Sequence, residues 1–272
     1  MPIVLGSGEH RYAVMENWAK LPDGWEFKDV AAVACDSKDR VYVFNRGEHP
    51  MMVFDRDGRF LGAWGEGQYP RAHGLHIDAN DILYLTDDGG HVVRKCTTEG
   101  KVLLELGVPG KPTPYMSGQP FHRCTHTALS PKGEIYVADR ENHRVQVFDG
   151  NGKYEAQWSN LHRPCGLYCC RGPKLQFIIG ELGPGMAVNR NHPNIGPRLS
   201  IVDAKGKLVA RLGGEAGPGL ASGKFVAPHG LAVDSRGDIY VGEVSYTEWP
   251  RLFPDIPIAR GMRSLQKLKK IS

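Results

Sequence analysis

The sequence predicts an all-β chain of repeated four-stranded units closed into a ring, and three observations carry that prediction. One strand pattern recurs five times, as VYVFNR (41–46), LYLTDD (83–88), IYVADR (135–140), FIIGEL (177–182) and IYVGEV (239–244). β-Branched and aromatic residues dominate these copies, as suits a pleated, half-buried surface. A turn precedes each copy: DSKDR, DANDI, SPKGE, CRGPK and DSRGD. Finally, 34 glycines and 19 prolines make up 53 of 272 residues, against roughly 12% for the two types in an average domain. That excess favours many turns and few long helices.

Each unit reads in the same order. A first strand opens at VAAVA (30–34), AHGLHI (72–77), THTALS (125–130), PCGLYC (164–169) or PHGLAV (228–233), and the recurring strand follows it. The third and fourth strands read MMVFDRDGRFLGAW, VVRKCTTEGKVLLEL, VQVFDGNGKYEAQW and LSIVDAKGKLVARL. Their central DG, EG, NG and KG pairs are hairpin turns, because glycine takes positive φ without a Cβ clash. Antiparallel four-stranded units of about 40 residues predict a β-propeller, whose blades bury their faces against one another around a channel. The last strand, SLQKLKKI, lacks a partner in its own unit, and YAVMENWAKL near the N-terminus supplies one. The ring then closes by pairing the two chain ends, in a single domain over 1–272. Five blades are recognisable. The 64-residue step from Cys165 to His229 has room for a degenerate sixth, and a loop over 183–197 explains it more simply.

Composition narrows the function classes. With 41% hydrophobic and 24% charged residues the chain is globular rather than disordered. The net charge is +4, and the only basic run, 263–270, is interleaved with apolar residues as an outer strand would be. Nucleic-acid binding calls for a clustered basic face with aromatic platforms, which is not in evidence. Apolar runs fall far short of the roughly 20 residues of a membrane span. The start, MPIVLGSGEHRY, lacks the features of a signal peptide. Six cysteines at 35, 96, 124, 165, 169 and 170 fit neither a zinc knuckle nor a disulfide framework. The expectation is a cytoplasmic protein with reduced thiols and neither nucleic-acid nor membrane partners.

Propeller topology turns these positions into geometry. Residues opening the first strands and closing the second strands meet at one channel mouth. The openings supply His73, His126 and His229, with Cys165 and Ala31 in the other two blades. The second strands close on Asn45, Asp87, Asp139, Glu181 and Glu243, followed in two blades by Arg46 and Arg140. Neutral imidazoles on separate rigid strands suit zinc with an open fourth position. Two arginines beside it suit a carboxylate held bidentately. The acidic closings either orient imidazole N–H groups or hydrogen-bond turn amides of the next blade, the commoner use for Asp87 and Asp139. One histidine at a strand start is ordinarily a polar rim residue. Three at one repeat position, among 11 in the chain, weigh toward a shared site. Cys165 reads as a small buried filler.

At these residues the chain resembles the NHL-repeat propellers, and among them the peptidyl-α-hydroxyglycine α-amidating lyases, from about residue 11 to the C-terminus. VYVFNRGEHP, HGLHID, YVADRENHRVQVF and FVAPHGLAVDSRGDIYVGEVSYT carry the likeness. It implies that Arg46 and Arg140 are active-site arginines and that His73, His126 and His229 hold zinc. The reaction implied is a metal-dependent lyase cleavage of a C–N bond. Its substrate is a small or peptide-like carbinolamide or α-hydroxy acid bearing a carboxylate. The sequence also departs from the family. Members have six blades, and the missing one resembles the blade carrying the proposed catalytic tyrosine, in a DGY segment absent here. Tyr246 and Glu243, beside the last blade's mouth, are the replacement candidates for the base. An ungapped alignment puts Thr125 at the third ligand position, and a one-residue offset puts His126 there. The family's structural calcium uses a carboxylate after the last histidine, where Gly230 stands, leaving main-chain carbonyls near Val33 and Leu75. Two rival readings remain: a calcium-dependent lactonase-like hydrolase using Glu181 and Asp139, and a non-catalytic interaction scaffold presenting Trp249 and 251–257.

Overall fold

In four of the five blades the first hairpin is closed by the side chain that opens its turn. The computed structural model describes residues 2–87, 89–90, 92–107, 109–110, 124–149, 151, 153–170, 174–184, 187–190 and 192–271. Asp36 Oδ1 accepts the amides of Lys38 and Arg40, and Asp78, Ser130 and Asp234 do the same in their own turns. The outer hairpins repeat the device with Asp55, Thr97, Asp149 and Asp203. Gly58, Gly100 and Gly206 follow at φ +87°, +84° and +77°. The pairing register shifts beside these turns, so the loops are turns with a β-bulge rather than two-residue hairpins.

The chain enters through β1 (Val4–Leu5) and β2 (Tyr12–Met15). Blade one is β3 (Val30–Cys35), β4 (Val41–Asn45), β5 (Met51–Phe54) and β6 (Phe60–Trp64). Blade two is β7 (Ala72–Ile77), β8 (Leu83–Asp87), β9 (Val92–Cys96) and β10 (Val102–Gly107). Blade three is β11 (Cys124–Leu129), β12 (Ile135–Asp139), β13 (Arg144–Phe148) and β14 (Tyr154–Trp158). Blade four is β15 (Pro164–Cys169), β16 (Gln176–Glu181), β17 (Arg198–Asp203) and β18 (Leu208–Leu212). Blade five is β19 (Pro228–Val233), β20 (Ile239–Glu243) and β21 (Leu265–Lys270), with β2 and then β1 on its outer edge. β2 runs antiparallel to β21, with Tyr12 opposite Lys270 and Met15 opposite Lys267. The architecture is the predicted five-bladed, nearly all-β propeller. The segment 183–197 connects β16 to β17 and forms no blade.

One element was not foreseen. Ser245–Leu252 forms α1, whose first amides, Tyr246 N and Thr247 N, are capped by Asp29 Oδ1 from the lead-in to blade one. Among the described residues no helix is long and apolar enough to cross a membrane.

Apolar side chains of neighbouring blades interlock. Ala32, Phe44 and Met51 of blade one pack with Leu83 and Leu85 of blade two, and Val30 and Val41 pack with Ala232 and Tyr240 of blade five. Blades three and four share Tyr136, Val145, Phe177 and Ile179; blades four and five share Ile178, Ile201, Leu231 and Val241. Among the described residues no such cluster joins blades two and three, and β7 and β11 do not pack as the other inner strands do. Close approach of the inner strands demands glycine. A Cβ on Gly230 would lie 2.5 Å from Ala32 Cα, and one on Gly166 would lie 2.8 Å from the His229 carbonyl oxygen. Both obstacles are backbone. Gly230→Ala is therefore expected to destabilise the fold by roughly 1–3 kcal/mol, seen as a lower urea midpoint with an unchanged denaturant slope.

Candidate metal centre

Every inner strand carries a register shift at its opening. Pairing jumps between Val30 and Ala32 in β3, Ala72 and Gly74 in β7, and Pro228 and Gly230 in β19. It jumps between Cys124 and Thr127 in β11, and between Pro164 and Leu167 in β15. A bulge leaves one residue out of the ladder and re-aims its side chain. Ala31, His73, His126, Cys165 and His229 all lie within these bulges.

The three imidazoles, far apart in sequence, meet on the axis. Ring centroids are 5.2 Å apart for His73 and His229, 5.5 Å for His126 and His229, and 6.3 Å for His73 and His126. It is the His126 ring that joins the other two; the Thr125 side chain lies outside the described residues. His229 is buried and its Nδ1 lies 2.7 Å from the Ala31 carbonyl oxygen. A carbonyl only accepts, so Nδ1 carries the proton and Nε2 keeps its lone pair. His126 Nδ1 is buried without a hydrogen-bond partner among the described residues. An orphaned ring nitrogen is costly unless something binds it, and facing imidazoles are a donor set that fits zinc.

Electrostatics keeps these rings neutral. Burial, then the charges of Arg46, Arg71 and Arg140, pushes His73 down to about 4. Burial, then His73 and Arg140, pushes His126 down to about 3. His229 is lowered well below its ordinary value by burial and by the neighbouring imidazoles and Arg46, against the opposing bond to Ala31. Three arginines thus act on the cluster. Arg46 Nε donates to the Ala72 carbonyl at 2.8 Å, one residue before His73, and Arg46 Nη1 stands 3.7 Å from Asp29 Oδ2. Arg140 opens a 3-10 turn, Arg140–Asn142, directly after β12. Arg71 escaped the sequence reading because it lies outside the repeated motif; only its place two residues before His73 marks it.

The acidic strand ends do other work. His229 Nδ1 turns to a main-chain carbonyl, so no carboxylate orients it, which corrects that expectation. Asp87 Oδ1 accepts the amides of Arg71, Gly89 and Gly90, and Glu181 accepts the His162 amide and the Arg198 guanidinium. Glu243, fully buried, accepts the amides of Val226 and Ala227 and the Gln266 side chain. Asn45 Oδ1 accepts the Lys28 amide at the corresponding place in blade one. Four blades thus brace the segment leading into their own inner strand, rather than a neighbour's turn. Asp139 instead gathers Asn142, Arg144 and Gln146. Tyr246 lies on α1, half-buried against the apolar cluster that holds Cys165, and its hydroxyl accepts the Met262 amide at 3.1 Å. Trp249 is buried and donates to the Ile256 carbonyl, so it presents no exposed aromatic patch.

Beneath the histidines, a cavity of ≈ 970 Å³ runs along the axis from His126, past Ala128 and Leu231, to the turns at Asp36, Ser130 and Asp234. Arg46 and Arg140 are not part of its lining. At the calcium position suggested by resemblance, Gly230 packs on Ala32, so no side-chain carboxylate fits there.

Residues 121–148 match the family model described as NHL repeat. The chain carries an NHL repeat. A probable peptidyl-alpha-hydroxyglycine alpha-amidating lyase of Caenorhabditis elegans is 30% identical over 138 residues, covering 49% of this chain and 37% of that protein. Peptidyl-glycine alpha-amidating monooxygenase B of Xenopus laevis is 29% identical over 248 residues, covering 79% of this chain and 27% of that protein. The chain spans about a third of the length of these curated relatives. Among solved structures, an auxiliary nutrient binding protein from Bacteroides thetaiotaomicron superposes with a TM-score of 0.55 at 12% identity, over 98% of this chain and 76% of that one. That likeness is one of fold. The molecule is a five-bladed β-propeller with one matched NHL repeat, and it resembles the amidating lyases.

The lowered imidazoles have a measurable consequence. In metal-free protein, the His73 and His126 ring resonances are expected to stay at their neutral positions from pH 8 to pH 5, with midpoints near 4 and 3. Unfolded histidine, with a pKa of about 6.5, takes up protons first. These groups therefore contribute stability in full above about pH 6.5 and lose it as the pH falls toward 4. NMR titration checks the midpoints; a midpoint near 6.5 for either ring contradicts the burial described.

Proposed function

We propose that this NHL-repeat propeller is a metal-dependent lyase that cleaves the C–N bond of a carbinolamide-like substrate bearing a carboxylate. The observation that carries the reading is the convergence of three neutral imidazoles on the axis, one with an orphaned ring nitrogen, beside three arginines. The names of the relatives support the reaction class. His73, His126 and His229 hold the zinc. Bound there, zinc supplies Lewis acidity toward a substrate hydroxyl or carboxylate oxygen.

The chain's own residues do the rest. Arg46 is fixed through Nε to the Ala72 carbonyl, and with Arg140 it holds the substrate carboxylate. A base removes the hydroxyl proton, the C–O bond becomes a carbonyl, and the C–N electron pair leaves on nitrogen, which takes up a proton. Products are a primary amide and an α-oxo acid. Of the two candidate bases, Glu243 has its carboxylate engaged by Val226, Ala227 and Gln266. Tyr246 lies next to the Lys28 ammonium, 5.1 Å from its ring centroid, and its hydroxyl oxygen meets a single amide donor, that of Met262. Tyr246 is therefore the better candidate. A hydrolase using Glu181 and Asp139 as calcium ligands finds less support, since both carboxylates are consumed by neighbouring donors.

Metal analysis is expected to find about one zinc per chain, reduced in His73→Ala and His229→Ala. An N-acyl-α-hydroxyglycine should yield the amide and glyoxylate, and Arg46→Lys should raise KM roughly tenfold or more by keeping the charge but losing the bidentate donor fork. Folded, metal-free protein that turns over unchanged after chelation overturns the reading.

A further inference from the structure

We infer that Cys165 is a metal ligand and that the centre is a mixed thiolate–imidazole site rather than an all-histidine one. The inference rests on the metal-binding reading above and adds a donor to it, so that a substrate oxygen would bind by expansion to five-coordination. Cys165 occupies, on β15, the bulged opening that holds histidine in blades two, three and five. Its Sγ and the ligand nitrogens of His126 and His229 all lie within 4.8 Å of one another. Tetrahedral zinc, with Zn–N near 2.0–2.1 Å and Zn–S near 2.3 Å, sets its donors about 3.3–3.6 Å apart. A contraction of at most about 1.2–1.5 Å per edge closes this triangle.

His73 stands outside that triangle: its ring is 5.2 Å from the His229 ring but 6.3 Å from the His126 ring. It is also the ring on which Arg46, Arg71 and Arg140 all act. His126, Cys165 and His229 therefore form the inner donor set, and His73 is the outermost ligand, on the side where the arginines gather.

The surroundings of Cys165 favour ligation over simple packing. It is fully buried, and Leu182, Val226 and Val244 cover its other side. Water is thus kept from Sγ, while two imidazoles face it. A thiolate in such a place needs a cation, and a thiolate with imidazoles selects zinc or cobalt(II) over calcium or magnesium.

Cobalt(II) titration of the metal-free protein tests this without any assay of turnover. Wild-type protein is expected to show visible d–d bands of a tetrahedral centre together with a near-ultraviolet sulfur-to-cobalt charge-transfer band. Cys165→Ser and Cys165→Ala should lose the charge-transfer band and bind cobalt at least about tenfold more weakly. Cys169→Ser, altering a thiol that lines the cavity, should keep the band. Wild-type protein giving d–d bands without charge transfer overturns thiolate ligation and leaves the three-histidine centre standing. Loss of the band in Cys169→Ser but not in the Cys165 variants assigns the sulfur elsewhere and likewise overturns it. No cobalt binding at all removes the metal centre itself.

Discussion

The extra residue at the start of each inner strand is the constraint on which the rest of the structure depends. A regular antiparallel ladder would alternate side chains between the two faces of the blade, each packed on a neighbour. The bulge breaks that alternation at one point in all five blades. The displaced side chains are sent toward the axis. Ala31 there offers only its carbonyl, which His229 uses. The close fit of β19 on β3, possible because position 230 has no Cβ, sets the length of that bond. Strand geometry, glycine placement and imidazole tautomer are thus one connected fact. The same closeness removes water, and this, more than any single charge, keeps the rings neutral.

Carboxylates one pairing step away serve the scaffold instead. Asp87, Glu181 and Glu243 each accept amides of the chain entering their own inner strand. That entering segment has no ladder partner, so its amides would otherwise be buried without acceptors. A charged acceptor gives shorter and stronger bonds than a neutral one, which explains acidic residues at a position where Asn45 also suffices in blade one. Because both oxygens of Glu181 and of Glu243 are filled by amides, guanidinium groups and side-chain donors, these two are poorly placed to bind a cation or take a proton.

How much of this was legible in the sequence follows from which contacts are local. Blade number, strand order and turns were readable, because each hairpin is closed by a residue two to four positions from its partner. The five opening positions were readable too, since the repeat aligns them. The direction in which each points was not. A bulge adds one residue without a mark of its own, so Thr125 and His126 could not be told apart until the ladder was seen. Cys165 read as filler because its apolar neighbours are evident, whereas the imidazoles facing it come from other blades. The helix Ser245–Leu252 was missed for a similar reason: its cap, Asp29, lies more than 200 residues away in sequence.

Among the described residues, successive blades share buried apolar clusters at every junction except that of blades two and three. His73 and His126 flank that junction, and theirs is the widest of the three ring separations. Inner strands draw together where apolar faces are available to pack. The packed arc runs from blade three through four and five to blades one and two. Donors from blades three, four and five therefore crowd, and the donor from blade two is left at the margin. On this argument the position that a cation would take on the axis is set by which junctions close tightly.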